Sequence, residues 1–173
     1  PLSEITERLR HDGHPPLYYF LLHFWMDVFG SGDGTVRAMS GIISLLGVPL
    51  CFQISRYFEH DRERQVQLGT TISLAYLLSP FVLRFGSETR MYSLVVVLVL
   101  AGMVLFERSI REPTLGRLAG IAAISGALLW THYWAIWLLL ALGGLCMIGA
   151  IRARRSHDRD HSNAYIRIAL AMV

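Results

Sequence analysis

From Leu118 to Ile151 the chain runs for 34 residues without a formal charge. One helix of that length would be ~51 Å long at 1.5 Å per residue, far more than the ~30 Å hydrocarbon core of a bilayer. The middle of the run holds Trp130-Thr131-His132-Tyr133-Trp134. Aromatic residues and a histidine in mid-run suit a turn at the membrane–water interface. The run therefore reads as two transmembrane spans, 116–131 and 134–151. Three shorter charge-free runs precede it: Ala38–Ser55 (18 residues), Gln65–Leu83 (19) and Met91–Phe106 (16). They predict spans over 37–58, 66–83 and 91–106. Hydrophobic residues make up 53% of the chain and charged residues 17%, whereas soluble domains carry about 25% charged residues. That balance excludes an ordinary soluble fold, a disordered chain, a collagen and a disulfide-rich secreted scaffold. Cys51 and Cys146 each lie inside an apolar run and read as packing residues, not as a bridge or metal pair.

Residues 15–29 behave differently. As a helix they would reach only ~22 Å. Pro15 and Pro16 suit a first helical turn, where a missing N–H costs little, and Gly30-Ser31-Gly32-Asp33-Gly34 ends it. Tyr19, His23 and Asp27 recur at i, i+4 and i+8, one narrow polar stripe in which His23 and Asp27 read as a hydrogen-bonded pair. A short helix of this kind is expected to lie at the membrane surface.

All 16 basic side chains are arginine, the net charge is +3, and the arginines fall in short clusters between apolar runs. That is a topogenic pattern and not a nucleic-acid surface. If 15–29 does not cross, ten arginines (Arg56, Arg62, Arg64, Arg108, Arg111, Arg117, Arg152, Arg154, Arg155 and Arg159) share one face. Arg8, Arg10, Arg37, Arg84 and Arg90 share the other. The positive-inside rule assigns the first set to the cytoplasm. The expected fold is all-α: a polytopic transmembrane helix bundle, one membrane domain over 1–173, with a short juxtamembrane helix in its first outer loop. Residues 1–36 form that outer loop, 152–164 a cytoplasmic loop, and 165–173 the start of a further span. The chain reads as an internal fragment of a longer polytopic protein.

The outer face collects the unusual residues. They are His11-Asp12-Gly13-His14-Pro15-Pro16-Leu17-Tyr18-Tyr19 with Arg37 beyond, then Arg84-Phe85-Gly86-Ser87-Glu88-Thr89-Arg90-Met91-Tyr92, then the 130–134 segment. A glutamate between two arginines beside hydrocarbon fits a functional group and equally an interfacial ion pair that anchors helix ends. Tyr18, Tyr19, Tyr92 and Trp134 suit interfacial anchoring as well as stacking on a sugar.

Gly13-His14-Pro15-Pro16-Leu17-Tyr18-Tyr19-Phe20-Leu21-Leu22-His23-Phe24-Trp25, then Phe29-Gly30, then Val36-Arg37-Ala38-Met39-Ser40, resembles the start of a protein O-mannosyltransferase-like domain. Ser79-Pro80 followed by Glu88-Thr89-Arg90-Met91-Tyr92-Ser93-Leu94 is similar to the same family. Its members are multi-pass lipid-linked glycosyltransferases of glycosyltransferase superfamily C. They include the protein mannosyltransferases, the aminoarabinose transferase of lipid A and the lipopolysaccharide galacturonosyltransferases. The resemblance covers nearly the whole chain and is strongest over 13–58 and 79–95.

The resemblance implies transfer of a sugar from a polyprenyl-phosphate donor to a glycan, lipid or protein acceptor, with inversion, on the non-cytoplasmic face of a cell membrane, most simply the bacterial cytoplasmic membrane. In the family an Asp-Glu or Asp-Asp pair precedes the position matched by His14, and its Asp activates the acceptor. No such pair precedes His14 here, because Glu4 and Glu7 stand apart; the base is then implied to lie upstream of Pro1. The resemblance assigns Glu88 to the acidic residue of a second outer loop. His14, Arg37 and Arg90 fall on positions near the donor phosphate, and His132 falls on a polar position at the outer end of a later span. Tyr92 completes the candidate substrate-binding set.

The chemistry suits these residue types. The leaving group is a phosphate that needs cations near it, and the acceptor hydroxyl needs a base. An arginine fork holds two phosphate oxygens and never deprotonates. Glu88, flanked by Arg84 and Arg90, is a poor general base and a better positioning group. No cofactor is called for, and a divalent metal is left open. His157-Asp158-Arg159-Asp160-His161 reads as a solvated loop, as does Glu59-His60-Asp61-Arg62-Glu63-Arg64; His11, Asp12 and His14 suit a turn as well as a metal. No phosphate-binding Gly-rich loop, dinucleotide fingerprint or serine nucleophile elbow occurs. Two readings compete with the transferase: a lipid or solute transporter or flippase, and a structural or inactive relative. Transporters place broken segments near mid-membrane and carry repeats; here the polar residues cluster at span ends, no repeat is evident, and Pro49 and Pro80 mark candidate breaks.

Overall fold

The computed structural model describes residues 15–173, so His11, Asp12, His14 and the remainder of 1–14 lie outside the described residues. Nine helices cover the described part: α1 Leu17–Phe29, α2 Asp33–Leu45, α3 Gly47–Phe58, α4 Arg62–Leu77, α5 Pro80–Ser87, α6 Tyr92–Arg111, α7 Leu115–Thr131, α8 Ala135–Arg155 and α9 Arg159–Ala171. The all-helical expectation is met over these residues.

Three helices are long and apolar enough to cross a membrane: Asp33–Phe58, Tyr92–Arg111 and Ala135–Arg155. A fourth is reached if α4 and α5, bent by 54°, count as one broken span. Leu17–Phe29 and Leu115–Thr131 are shorter apolar helices. These lengths are consistent with a membrane protein.

The breaks have local causes. Pro49 cannot donate to the carbonyl of Leu45, and the helix is interrupted at Leu46 between α2 and α3. Ser79, the residue before Pro80, is extended at φ −62° and ψ 125°, as the proline ring requires of its predecessor. The continuous span expected over 66–83 is therefore two helices. α6 runs past the expected end at 106, carried by the Glu107–Arg111 ion pair at 3.2 Å. It stops at Glu112, extended ahead of Pro113. The 130–134 turn falls where the aromatics predict it, between α7 and α8.

The expected loop over 152–164 is corrected. α8 continues to Arg155, α9 begins at Arg159, and only three residues turn the chain. His157 sits in the left-handed region at φ 63°. Its N–H reaches the carbonyl of Arg154, and the N–H of Asp158 reaches that of Ala153. This pair of bonds is a Schellman ending. Asp158 then caps α9, accepting from the His161 N–H at 3.1 Å and its ring at 2.8 Å. The bond to the backbone N–H holds the Asp158 carboxyl below the ordinary aspartate range. Residues 165–171 lie on α9, and Ile168 and Met172 close a core with Ile121 and Cys146.

α6 is central, touching α2, α3, α5, α7 and α9. Tyr57 donates to the Val104 carbonyl at 3.0 Å and Arg108 to Gln53 at 2.6 Å, while Met39 and Met91 share a core cluster. The α2–α3 helix therefore runs parallel to α6, head beside head. α4 returns antiparallel, with Tyr76 donating to the Ser44 carbonyl at 2.9 Å and Ser73 to that of Val48 at 3.3 Å. α7 returns along α6 and α9 along α8.

Small residues make these contacts close. A Cβ on Gly69 would stand 2.8 Å from the Phe52 ring and 2.9 Å from Ser55 Oγ, whereas Gly144 has open space. We expect G69A to lower stability by roughly 1–3 kcal/mol through overpacking, with G144A far milder, read as thermal unfolding of the detergent-solubilised protein. In the same assay H157G should raise stability by about 1 kcal/mol, because glycine removes the steric cost of the left-handed conformation.

Candidate functional site

The site is built at the end of the bundle where α2 and α6 begin. α5 is eight residues long and ends at Ser87. Arg84 and Glu88 stand four residues apart at its exit, and their side chains pair at 3.1 Å. The backbone then turns tightly, the Arg90 N–H reaching the Glu88 carbonyl at 2.9 Å. Met91 follows, 2% exposed, packed with Tyr18, Leu22 and Met39 beneath the turn. Tyr18 is itself fixed by a 2.8 Å hydrogen bond to Ser40. This small core ties α1, α2 and the head of α6 together and supports the loop above it.

An open cleft of about 420 Å³ lies over that loop, lined by Arg37, Arg84, Phe85, Glu88, Thr89, Arg90 and Tyr92. Arg37, Glu88, Arg90 and Tyr92, four of the sequence-predicted residues, therefore share one cleft. His132 reaches it indirectly, its ring 6.0 Å from that of Tyr92. The Trp134 N–H donates to His132 Nδ1 at 3.2 Å, so the ring proton belongs on Nε2. His14 lies outside the described residues.

Aromatic stacking shapes the floor. The Phe85 ring packs between Phe81 and Tyr92, 4.4 Å from each, and the Arg84 guanidinium lies 5.6 Å from its centroid. Ser93 Oγ donates to the Phe85 carbonyl at 2.7 Å, which locks the last turn of α5 onto the first turn of α6. Phe85 and Thr89 were missed by sequence reasoning. Both stand in the outer segment Arg84–Tyr92, which was the available signal, and Thr89 also lies in the Glu88–Leu94 stretch that carries the resemblance.

The cleft holds three guanidinium groups against one carboxylate. Glu88 is paired with Arg84, not held between its two neighbours as the sequence suggested. Among the described residues neither Arg37 nor Arg90 has a carboxylate partner. An excess of two positive charges in a partly enclosed site attracts an anion. A hard divalent cation takes several oxygen ligands, and this lining offers it one carboxylate among three cations. Among the described residues no group of three His, Cys, Asp or Glu side chains is placed to hold a metal.

The other histidine clusters have structural roles. His23 and Asp27 are neighbours on α1 as their spacing predicts, but at 3.8 Å they are too far apart for the expected hydrogen bond, and His161 and Asp158 form the α9 cap.

The Ser93–Phe85 bond gives a direct check on how the cleft is held. Ser93 is 4% exposed, so S93A should cost about 1 kcal/mol of stability by leaving a buried carbonyl unpaired, measured by thermal unfolding. Comparison of the chain with protein-family models, with curated proteins and with solved structures finds no match.

Proposed function

We propose that this chain belongs to an integral membrane glycosyltransferase that moves a sugar from a polyprenyl-phosphate donor to a glycan, lipid or protein acceptor. The observation that carries the reading is the arginine-rich cleft at one end of membrane-length apolar helices. Such a place suits a ligand whose phosphate is anionic and whose tail is insoluble in water. Ten arginines lie toward the other end, so the cleft belongs on the non-cytoplasmic side.

In this mechanism Arg37 and Arg90, without a carboxylate partner among the described residues, take the donor phosphate. Their attraction grows as the glycosyl–oxygen bond breaks and charge gathers on the leaving phosphate. The acceptor oxygen attacks the anomeric carbon from the opposite face and inverts it. The family resemblance assigns the acceptor's proton to an aspartate base, a role that no residue of the cleft takes here. Glu88 orients Arg84 and the acceptor, and Tyr92 and His132 form a wall against the sugar.

The test uses the full-length protein with a radiolabelled polyprenyl-phosphate sugar. R90A should lower kcat/KM by about 10²-fold, as expected for loss of one transition-state charge contact. E88Q should fall short of the ~10²–10⁴-fold loss that removal of a general base produces, with no change in the acid limb of the pH–rate profile. Turnover at the wild-type rate in both variants would remove these residues from the mechanism.

The 54° break between α4 and α5 favours a second reading, a lipid transporter, because transporters use broken helices. Movement of a fluorescent polyprenyl phosphate across vesicles by the same preparation, without sugar transfer, would establish that reading instead.

A further inference from the structure

A second basic site lies at the opposite end of the bundle. Where α8 turns into α9, a recess of about 330 Å³ is lined by Arg154, His157, Arg159, Ser162 and Asn163. Arg154 Nε donates to Ser162 Oγ at 3.2 Å, and Ser162 is 1% exposed. The guanidinium is thus held across the turn instead of trailing into solvent. No carboxylate lines the recess among the described residues. Asp158 and Asp160 flank Arg159 in the chain but do not line the recess, and Asp158 is engaged by the backbone N–H and ring of His161.

We infer that this recess binds the phosphate headgroup of an anionic membrane lipid. The lining offers only guanidinium forks and neutral polar groups besides His157, and forks match phosphate oxygens in pairs. Its depth selects a lipid over a free phosphate. The uncharged stretch of α8, Ala135–Ile151, is 17 residues, or ~26 Å, so Arg154 stands where a ~30 Å hydrocarbon core gives way to headgroups. Met147, Ile151 and Arg154 follow one another at i, i+4 and i+7 on one face of α8. Met147 and Ile151 are 55% and 46% exposed. Acyl chains lie along that apolar face while the phosphate meets the arginines above it. The inference rests on the chain lying in a bilayer and does not depend on sugar transfer.

The experiment places the full-length protein in phosphatidylcholine nanodiscs doped with phosphatidylglycerol and counts bound phosphatidylglycerol by native mass spectrometry. R154Q/R159Q should weaken retention about tenfold or more, the loss expected for hydrogen bonds to a charged group. R62Q/R64Q makes the same change of charge at the same end of the bundle and should leave retention unchanged. Equal weakening in both pairs means diffuse attraction to a basic surface and overturns the proposal. Displacement of the lipid by millimolar inorganic phosphate overturns it too, in favour of a soluble anion. Arg159 makes no side-chain hydrogen bond within the described residues, so R159Q alone keeps the test readable if R154Q loosens the α8–α9 turn; it should still weaken retention several-fold. Alkaline extraction from phosphatidylcholine vesicles reads membrane insertion separately, and a chain released by it sinks the proposal at its premise.

Discussion

Glycines that make room for a side chain of the packed neighbour set the helix contacts of this molecule. At Gly69 a single added carbon would collide with Phe52 and Ser55, and the same tightness recurs where Gly120 meets Leu105 and where Gly149 meets the Tyr165 ring. Among the described residues the buried polar side chains are hydroxylated: Ser40, Ser44, Ser55, Ser73, Ser93, Ser109, Ser125, Thr131 and Ser162, set among buried apolar side chains such as Tyr18, Ile54, Val104, Ile121, Leu128 and Ile168. Large apolar side chains such as Leu74, Leu83, Trp137, Leu140 and Leu145 face outward. Lipid tails are as apolar as leucine, so burying leucine gains little in a bilayer. Association there relies on dispersion between close backbones and on hydrogen bonds between helices. Among the described residues no buried side-chain polar atom lacks a partner, which is what a medium without water demands.

That packing also decides where the cleft forms. α2 and α6 run parallel because Tyr57 and Gln53 at the foot of α3 bond to the lower part of α6, while Met39 and Met91 meet at the top. Parallel neighbours present their heads together, and Arg37 arrives beside Arg90 although the two are distant in sequence. α5 is then too short to cover them. Its bend relative to α4 lays Phe85 against Tyr92 and leaves Arg84, with its paired Glu88, at the rim. The tyrosine–serine bond beneath holds the small α1 helix as a buttress.

Guanidinium groups gather at both ends of the bundle. At the cleft the guanidiniums outnumber the carboxylate three to one within an open, aromatic-floored space. At the α8–α9 turn they surround a smaller recess beside exposed apolar surface. Between the two ends the exposed Arg167 stands on α9, beside Ile168 of the core shared with Cys146.

Local pattern sufficed for what depends on local pattern. The charge-free runs marked the long helices, the Trp-Thr-His-Tyr-Trp stretch marked the turn at 130–134, and the spacing of His23 and Asp27 marked them as neighbours. The adjacency of Arg84, Glu88, Arg90 and Tyr92 in one cleft follows from their nearness in the chain. The break at Ser79, which the neighbouring Pro80 flagged without locating its angle, needed the structure. So did the α8–α9 hairpin: Arg152–Arg159 reads as a solvated loop until Ser162, Ala164 and Ile168 are seen buried against a neighbouring helix. What the sequence by itself determined was the long apolar helices and the ends at which charge gathers, because both follow from the cost of placing charge in an apolar medium. Only the tertiary structure decided which ends meet, since that depends on where a glycine leaves room for a side chain of the next helix and where hydroxyls bond between helices.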